Sequence, residues 1–179
     1  MRIGIISDTH GRVEWTRLAL AVFEAEHVER VIHCGDIGSV SVIELFTRWE
    51  THFVFGNVDH EHNAMRSKIE AAGNICHGRF ADVEWDGQRI AIVHGDDFRR
   101  LQATIQSQQF GLVCTGHTHQ RSFETIGTTR VLNPGAIDRV GVASVAVVDL
   151  EGMSIRHVDV VSQEAGLVAV HHVPPRHPL

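Results

Sequence analysis

The sequence predicts an α/β fold of two mixed sheets packed face to face, with flanking helices over their outer faces. Three observations carry that prediction. The first part of the chain alternates short apolar runs with stretches at helical spacing, the pattern of parallel strands joined by crossover helices. The second part is a series of short strands punctuated by turn signals, poor in helix, and reads as mainly antiparallel. Five apolar runs, drawn from both parts, end abruptly in Asp, Asn or His beside a glycine.

Taken in order, Ile3, Ile5 and Ile6 form a strand buried on both faces, and Ser7-Asp8-Thr9-His10-Gly11 is the turn leaving it. Trp15, Leu18, Ala19, Val22 and Phe23 then make one apolar helix face. Arg30 to Cys34 is the next strand, ending in Gly35-Asp36-Ile37-Gly38. A second helix carries Val42, Leu45, Phe46 and Trp49 on one stripe, with Ser41 and Glu44 as a capping box. His52 to Phe55 is the third strand, ending in Gly56-Asn57-Val58-Asp59, and a weaker helix follows with Met65, Ile69 and Ala72.

Ala81 to Trp85 and Arg89 to Val93 flank Asp86-Gly87, a hairpin signal. The second of these strands ends in His94-Gly95-Asp96. Phe98, Leu101 and Ile105 suit a short helix, and Phe110 to Thr115 a strand ending in Gly116-His117-Thr118-His119. Further short strands occupy Phe123 to Val160, with turns at Gly127, Pro134-Gly135 and Glu151-Gly152. Residues 1–162 read as one domain and 163–179, with His171, His172 and His177, as an extended or disordered tail.

Composition bounds the function. A chain of 179 residues, 43% hydrophobic and 21% charged, can bury a sizeable core. A net charge of −6 argues against a general nucleic-acid-binding surface. It does not exclude a small phosphate-bearing substrate, because bound metal makes a site locally positive. Cys34, Cys76 and Cys114 lack metal or redox spacing and read as buried reduced thiols. With no apolar leader and no run long enough to span a membrane, the expected location is the cytoplasm, without a membrane partner. Exposed sheet edges in the second half leave pairing into a homo-oligomer open.

The strand ends carry the chemistry. Asp8 with His10, Asp36, Asn57, His94, and His117 with His119 each follow an apolar run. Ends of neighbouring strands lie side by side, so these side chains can converge. Two carboxylates, one amide oxygen and four imidazoles suit Mn, Fe, Ni, Co or Zn. They are too many for one ion and suffice for two if a carboxylate bridges. Ions ~3.5–4 Å apart would clamp the attacking and leaving oxygens of a phosphoryl transfer.

The motifs Asp8-Thr9-His10, Gly35-Asp36-Ile37-Gly38, Gly56-Asn57-Val58-Asp59, His94-Gly95 and Gly116-His117-Thr118-His119 resemble the calcineurin-like metallophosphoesterases. The likeness is to their small, cap-less phosphodiesterase branch, whose fold Vps29 shares. It covers residues 3–119, and Asn133-Pro134-Gly135 extends it. The resemblance implies a four-layer αββα sandwich with a dinuclear site at the sheet edge. It assigns Asp8, His10 and His119 to one divalent ion, Asn57, His94 and His117 to the other, and Asp36 to both. All seven would be catalytic, manganese is the first choice of metal, and water or hydroxide between the ions is the implied nucleophile. The implied activity is phosphodiester hydrolysis; a phosphomonoesterase with the same site and a non-catalytic Vps29-like scaffold are the alternatives.

One departure stands out. Larger members of the family carry His after the Asn, where this chain has Val58, so that proton donor is missing. His60 and His62 are the nearest replacements in sequence. Among other residues, His33 reads as orienting a ligand, and Asn133 as a hydrogen-bond partner near the site. Asp59 and Asp96 read as facing solvent or ligand neighbours, His27 and His52 as surface residues, and Arg99 and Arg100 as a solvated helix face.

Overall fold

Alternation decides which way each strand faces. In β1 (Arg2–Ile6), Ile3 and Ile5 enter one core while Ile6 enters another on the opposite side. The same division runs through β6 (Gln88–Ile92), where Ile90 and Ile92 join Ile3 and Ile5, and Ala91 faces away. A computed structural model describes residues 1–137 and 143–161; the tail read at 163–179 lies outside the described residues.

The elements run β1, α1 (Val13–Ala25), β2 (Arg30–His33), α2 (Val40–Ile43), β3 (Glu50–Phe53), α3 (His62–Ala71), β4 (Ile75–Cys76), β5 (Ala81–Trp85), β6, α4 (Phe98–Gln106), β7 (Leu112–Cys114), β8 (Ser122–Ile126), β9 (Thr129–Asn133), β10 (Ala143–Asp149) and β11 (Ser154–Val160). One sheet has the order β11-β10-β1-β2-β3-β4 and the other β5-β6-β7-β9-β8. Helices α1 to α3 pack on the outside of the first sheet through Phe23, Val42, Ile43, Met65 and Ile69. Between the sheets lie Ile3, Ile5, Ile32 and Cys34 against Ile90, Ile92, Leu112 and Cys114. Ile105 of α4 closes the far side with Val93, Val113 and Val131. The layers are therefore α, β, β, α, as expected.

The hairpin signal at Asp86-Gly87 holds. Both residues have positive φ (49° and 71°), and Trp85 pairs with Gln88 across a two-residue turn. The second half is mainly antiparallel, as expected, through β5–β6, β8–β9 and β10–β11. Within it, however, β6 with β7 and β7 with β9 are parallel, because α4 and β8 act as crossovers. The β10–β11 hairpin also leaves that half and pairs antiparallel with β1. The second helix is one turn, Val40–Ile43, and Ser41 lies inside it rather than capping it. Three β-branched residues disfavour helix there, and β3 must begin at Glu50, so Leu45 and Phe46 continue as tight turns with bonds to Val42 and Ile43.

His52, read as a surface residue, is buried: its ring stacks on His77 at 4.9 Å and meets Trp85 edge-on at 4.8 Å. Cys34 and Cys114 are buried thiols, whereas Cys76 is only half-buried, and all three are free. His27 is exposed, as are Arg99 and Arg100.

Candidate metal centre

The turns after β1 and β2 are stitched together before any side chain is considered. Asp8 N–H donates to the Gly35 carbonyl (3.0 Å), His10 N–H to Asp36 (3.0 Å) and Gly11 N–H to Ile37 (2.9 Å). The turns after β6 and β7 are joined likewise, Gly116 N–H donating to the His94 carbonyl at 2.8 Å. The site forms at the seam where these four turns and the one after β3 meet.

Backbone conformation marks the same residues. Asp8, His10, Asp36, His117 and His119 all have φ between 44° and 67°, five of the nine non-glycine residues with positive φ among those described. Such a conformation costs of order 1–3 kcal/mol per residue and collects at functional sites. Gly56 is needed for close approach, since a Cβ there would lie 2.0 Å from Asp36 Oδ1.

Asp8, His10, Asp36 and His119 each place one donor atom within 4.8 Å of the others. His10 Nε2 lies 3.2 Å from His119 Nε2 and 3.7 Å from Asp36 Oδ2. Asp8 Oδ2 accepts the His117 N–H at 3.1 Å. Asp8 Oδ1 is buried and receives no hydrogen bond, with His119 Nε2 at 3.2 Å and His10 Nε2 at 3.9 Å. Burial pushes the Asp8 carboxyl above its usual pKa, the expected response of a carboxylate short of positive charge.

A second group shares Asp36. His94 Nε2 lies 3.3 Å from Asp36 Oδ2 and 3.1 Å from Asn57 Oδ1. The His117 ring meets the His94 ring edge-on at 5.2 Å. His94 Nδ1 faces the Cys34 carbonyl at 2.9 Å, and a carbonyl only accepts, so the proton sits on Nδ1 and Nε2 is left as a donor of electrons. Burial alone would raise the Asp36 pKa, but His94 and the Val58 N–H (3.0 Å) outweigh it and hold it down at about 2. Burial lowers the His94 pKa and Asp36 more than reverses it, for a net rise.

All seven residues singled out by sequence are thus at one place. Four of them form the tight group, and Asn57, His94 and His117 gather on the other side of Asp36. The donor set fits divalent cations: oxygen and imidazole nitrogen atoms converge, and one buried carboxylate oxygen has no donor to meet it.

Supporting residues divide into those foreseen and those missed. His33 orients the Asp36 turn, accepting the Gly35 N–H at Nδ1 (3.2 Å) and facing the Thr9 hydroxyl at 3.0 Å. Complete burial lowers its pKa to about 3. Asn133 donates to the Gly116 carbonyl at 2.7 Å and to Thr118 Oγ1 at 3.1 Å. Of the two readings open for Asp59, solvent or ligand neighbours, the second holds. Asp59 is buried and accepts the N–H groups of Ile37 (3.2 Å), Gly38 (3.0 Å) and Gly56 (2.9 Å), tying two ligand-bearing turns together. Arg79 was not singled out; it pairs with Asp96 and donates to the Gly56 carbonyl at 3.2 Å, linking the turns of Asn57 and His94. No spacing signal marks either residue. Of the two histidines near Val58, His62 stacks on Phe55 at 4.5 Å, and His60 lines a cleft beside Val58.

Comparison with known proteins agrees with this geometry. Residues 1–153 match the calcineurin-like phosphoesterase superfamily domain. The chain is 34% identical over 164 residues to a phosphodiesterase of Methanocaldococcus jannaschii, spanning 88% of this chain and 98% of that one. It is 30% identical to a probable metallophosphoesterase of Methanothermobacter thermautotrophicus, over 85% and 87% of the two chains. Among solved structures, an archaeal phosphodiesterase superposes with a TM-score of 0.83 at 34% identity, covering 89% of this chain and 99% of that one. Vps29 of Entamoeba histolytica in complex with zinc superposes at 0.63 with 18% identity over 97% and 98%, a likeness of fold alone. A match over six-sevenths of the length, on a sandwich that gathers the expected side chains at one seam, places the chain in the calcineurin-like phosphoesterase superfamily.

Proposed function

We propose that the chain is a phosphodiesterase using two divalent ions, one held by Asp8, His10 and His119, the other by Asn57, His94 and His117, with Asp36 shared. The observation that carries this reading is the buried, hydrogen-bond-free Asp8 Oδ1 among converging imidazoles. A scaffold would gain nothing from such a group or from five strained ligand positions. Manganese is the metal we favour, with Fe, Ni, Co and Zn compatible with the same donors. When bound, the ions would lower the pKa of water and neutralise charge on the phosphoryl oxygens.

The chain's own groups do the rest. Asp36, held ionised between His94 and the Val58 N–H, remains a carboxylate across the neutral range. The Nδ1 proton of His94, fixed on the Cys34 carbonyl, keeps Nε2 aimed at the shared side. Hydrolysis adds one water: its oxygen bonds to phosphorus, the bond from phosphorus to the departing oxygen breaks, and that oxygen takes a proton. Val58 offers no proton at its position, which favours diesters and good leaving groups over alkyl monophosphates. Residues 1–162 constitute the domain we assign this activity, acting on a small phosphoester. Three free cysteines, two of them buried, suit the reducing cytoplasm in which we place it.

The test is metal content measured beside hydrolysis of bis(p-nitrophenyl) phosphate and p-nitrophenyl phosphate. Two ions per chain with the diester turned over faster than the monoester is the expected result. Two bound ions with no turnover in any of the five metals would contradict it.

A further inference from the structure

A cleft of about 380 Å³ adjoins the turns that carry Asp36 and Asn57, lined by Gly38 and Ser39 from one and Val58 from the other, within the size range of small-ligand sites. Two of its walls belong to the centre. Val58 donates its N–H to Asp36, and Gly38 packs so tightly on the His10 turn that a Cβ would lie 2.6 Å from the His10 carbonyl carbon. Val40, Val58 and the buried Met65 give the cleft an apolar floor. His60 and Glu61, both exposed, form its rim, and no Lys or Arg lines it. Ser39 also lines it, and its hydroxyl is buried without a hydrogen-bond partner.

We propose that this cleft binds the ester arm that stays on phosphorus after hydrolysis, and that it selects neutral, apolar-bodied arms of aryl size. The inference rests on the phosphodiesterase reading and deepens it. A diester differs from a monoester only by that retained arm, so a site selective for diesters must contact it. The chemistry of the walls names the class. Val40, Val58 and Met65 offer dispersion and apolar burial, and the methionine adapts to shape. Glu61 at the rim disfavours an arm bearing negative charge, and no cation in the wall compensates it. On the other side of Asp36, by contrast, His117 and Thr118 are exposed, so the departing arm has an open path to solvent.

The experiment uses manganese-loaded protein and three diesters sharing a p-nitrophenyl leaving group, with methyl, phenyl or 3-carboxyphenyl as the second arm. The phenyl diester is expected to exceed the methyl diester in kcat/KM by roughly tenfold or more, the scale on which apolar pockets discriminate. Val40→Trp, which fills the cleft, should bring the phenyl-to-methyl ratio of kcat/KM down towards one. Glu61→Lys, at an exposed position, should raise the 3-carboxyphenyl diester relative to phenyl. Equal methyl and phenyl rates in an active enzyme would overturn the cleft assignment alone. Slowing of all three diesters together by Val40→Trp, with the fold intact by circular dichroism, would show that the cleft takes the departing arm instead and would also overturn it. Failure of wild-type protein to hydrolyse any of the three would remove the phosphodiesterase reading itself.

Discussion

Asp8 concentrates the chemistry of the site in one side chain. Its Oδ2 is occupied by the His117 N–H while Oδ1 receives no hydrogen bond, so charge on the second oxygen needs either a proton or a cation. Asp8→Asn should release about one of two ions and lower diesterase activity by more than the ~10–100-fold typical of outer residues around a metal. Elemental analysis and kinetics, with circular dichroism as the control of fold, check this. Asp59 has a purely structural job. Replacing it with Ala strands three N–H groups, each costing about 1–3 kcal/mol when unpaired, so Asp59→Ala should lose about 3 kcal/mol in urea unfolding. A loss under about 1 kcal/mol would contradict that role. The seven metal-type residues were legible because carboxylates and imidazoles at strand ends are unusual. Asp59 was only half legible, with solvent and ligand neighbours both left open, because an acid that accepts backbone N–H groups has the same letter as one facing water. His52 was hidden for a related reason: a strand start is often exposed, but here His77 and Trp85 cover it.

At the scale of elements, turns are the unit that builds the site. Gly56 illustrates how little room they leave, and Gly56→Ala should push Asp36 out of place through contacts of 2.0 Å to its carboxylate and 2.4 Å to its backbone nitrogen. The expected outcome is a folded protein with at least ~100-fold weaker metal binding, beyond the effect of a lost outer residue, read by titration calorimetry. The first half of the fold was readable from period alone, since α1 and the strands before each turn have clear patterns. Helix α2 was not, because Val42, Leu45, Phe46 and Trp49 follow helical spacing whether the chain coils or turns tightly on the same core. The two residues of β4 are too few to show alternation. Helix α4 was legible in the spacing of Phe98, Leu101 and Ile105, but the parallel pairings of β7 with β6 and β9 were not, because spacing within an element does not say which strands become its neighbours.

For the whole molecule, the donors straddle the seam between the sheets. Asp8, His10, Asp36 and Asn57 follow strands of one sheet, and His94, His117 and His119 follow strands of the other. Ions held there would cross-link the layers and stabilise the native state by linkage. Chelation should therefore lower the melting temperature, and manganese restore it; an unchanged temperature would argue that the ions do not bridge the sheets. Acid stability has a separate source away from the seam. Burial, aided by His77, lowers the His52 pKa from 6.5 to about 4, and burial lowers His77 as well. Between about pH 6.5 and 4 the unfolded chain binds a proton that native His52 does not, so stability falls as pH falls through that window. His52→Phe should flatten that slope in metal-free protein, measured as urea midpoints at neutral and mildly acidic pH.

The central claim is that two ions share Asp36 at the seam. Anomalous diffraction at the manganese edge, from crystals grown in saturating Mn²⁺, tests it most directly. The account predicts two peaks, one among Asp8, His10, Asp36 and His119 and the other among Asp36, Asn57, His94 and His117. A single peak, or none at saturation, would contradict it.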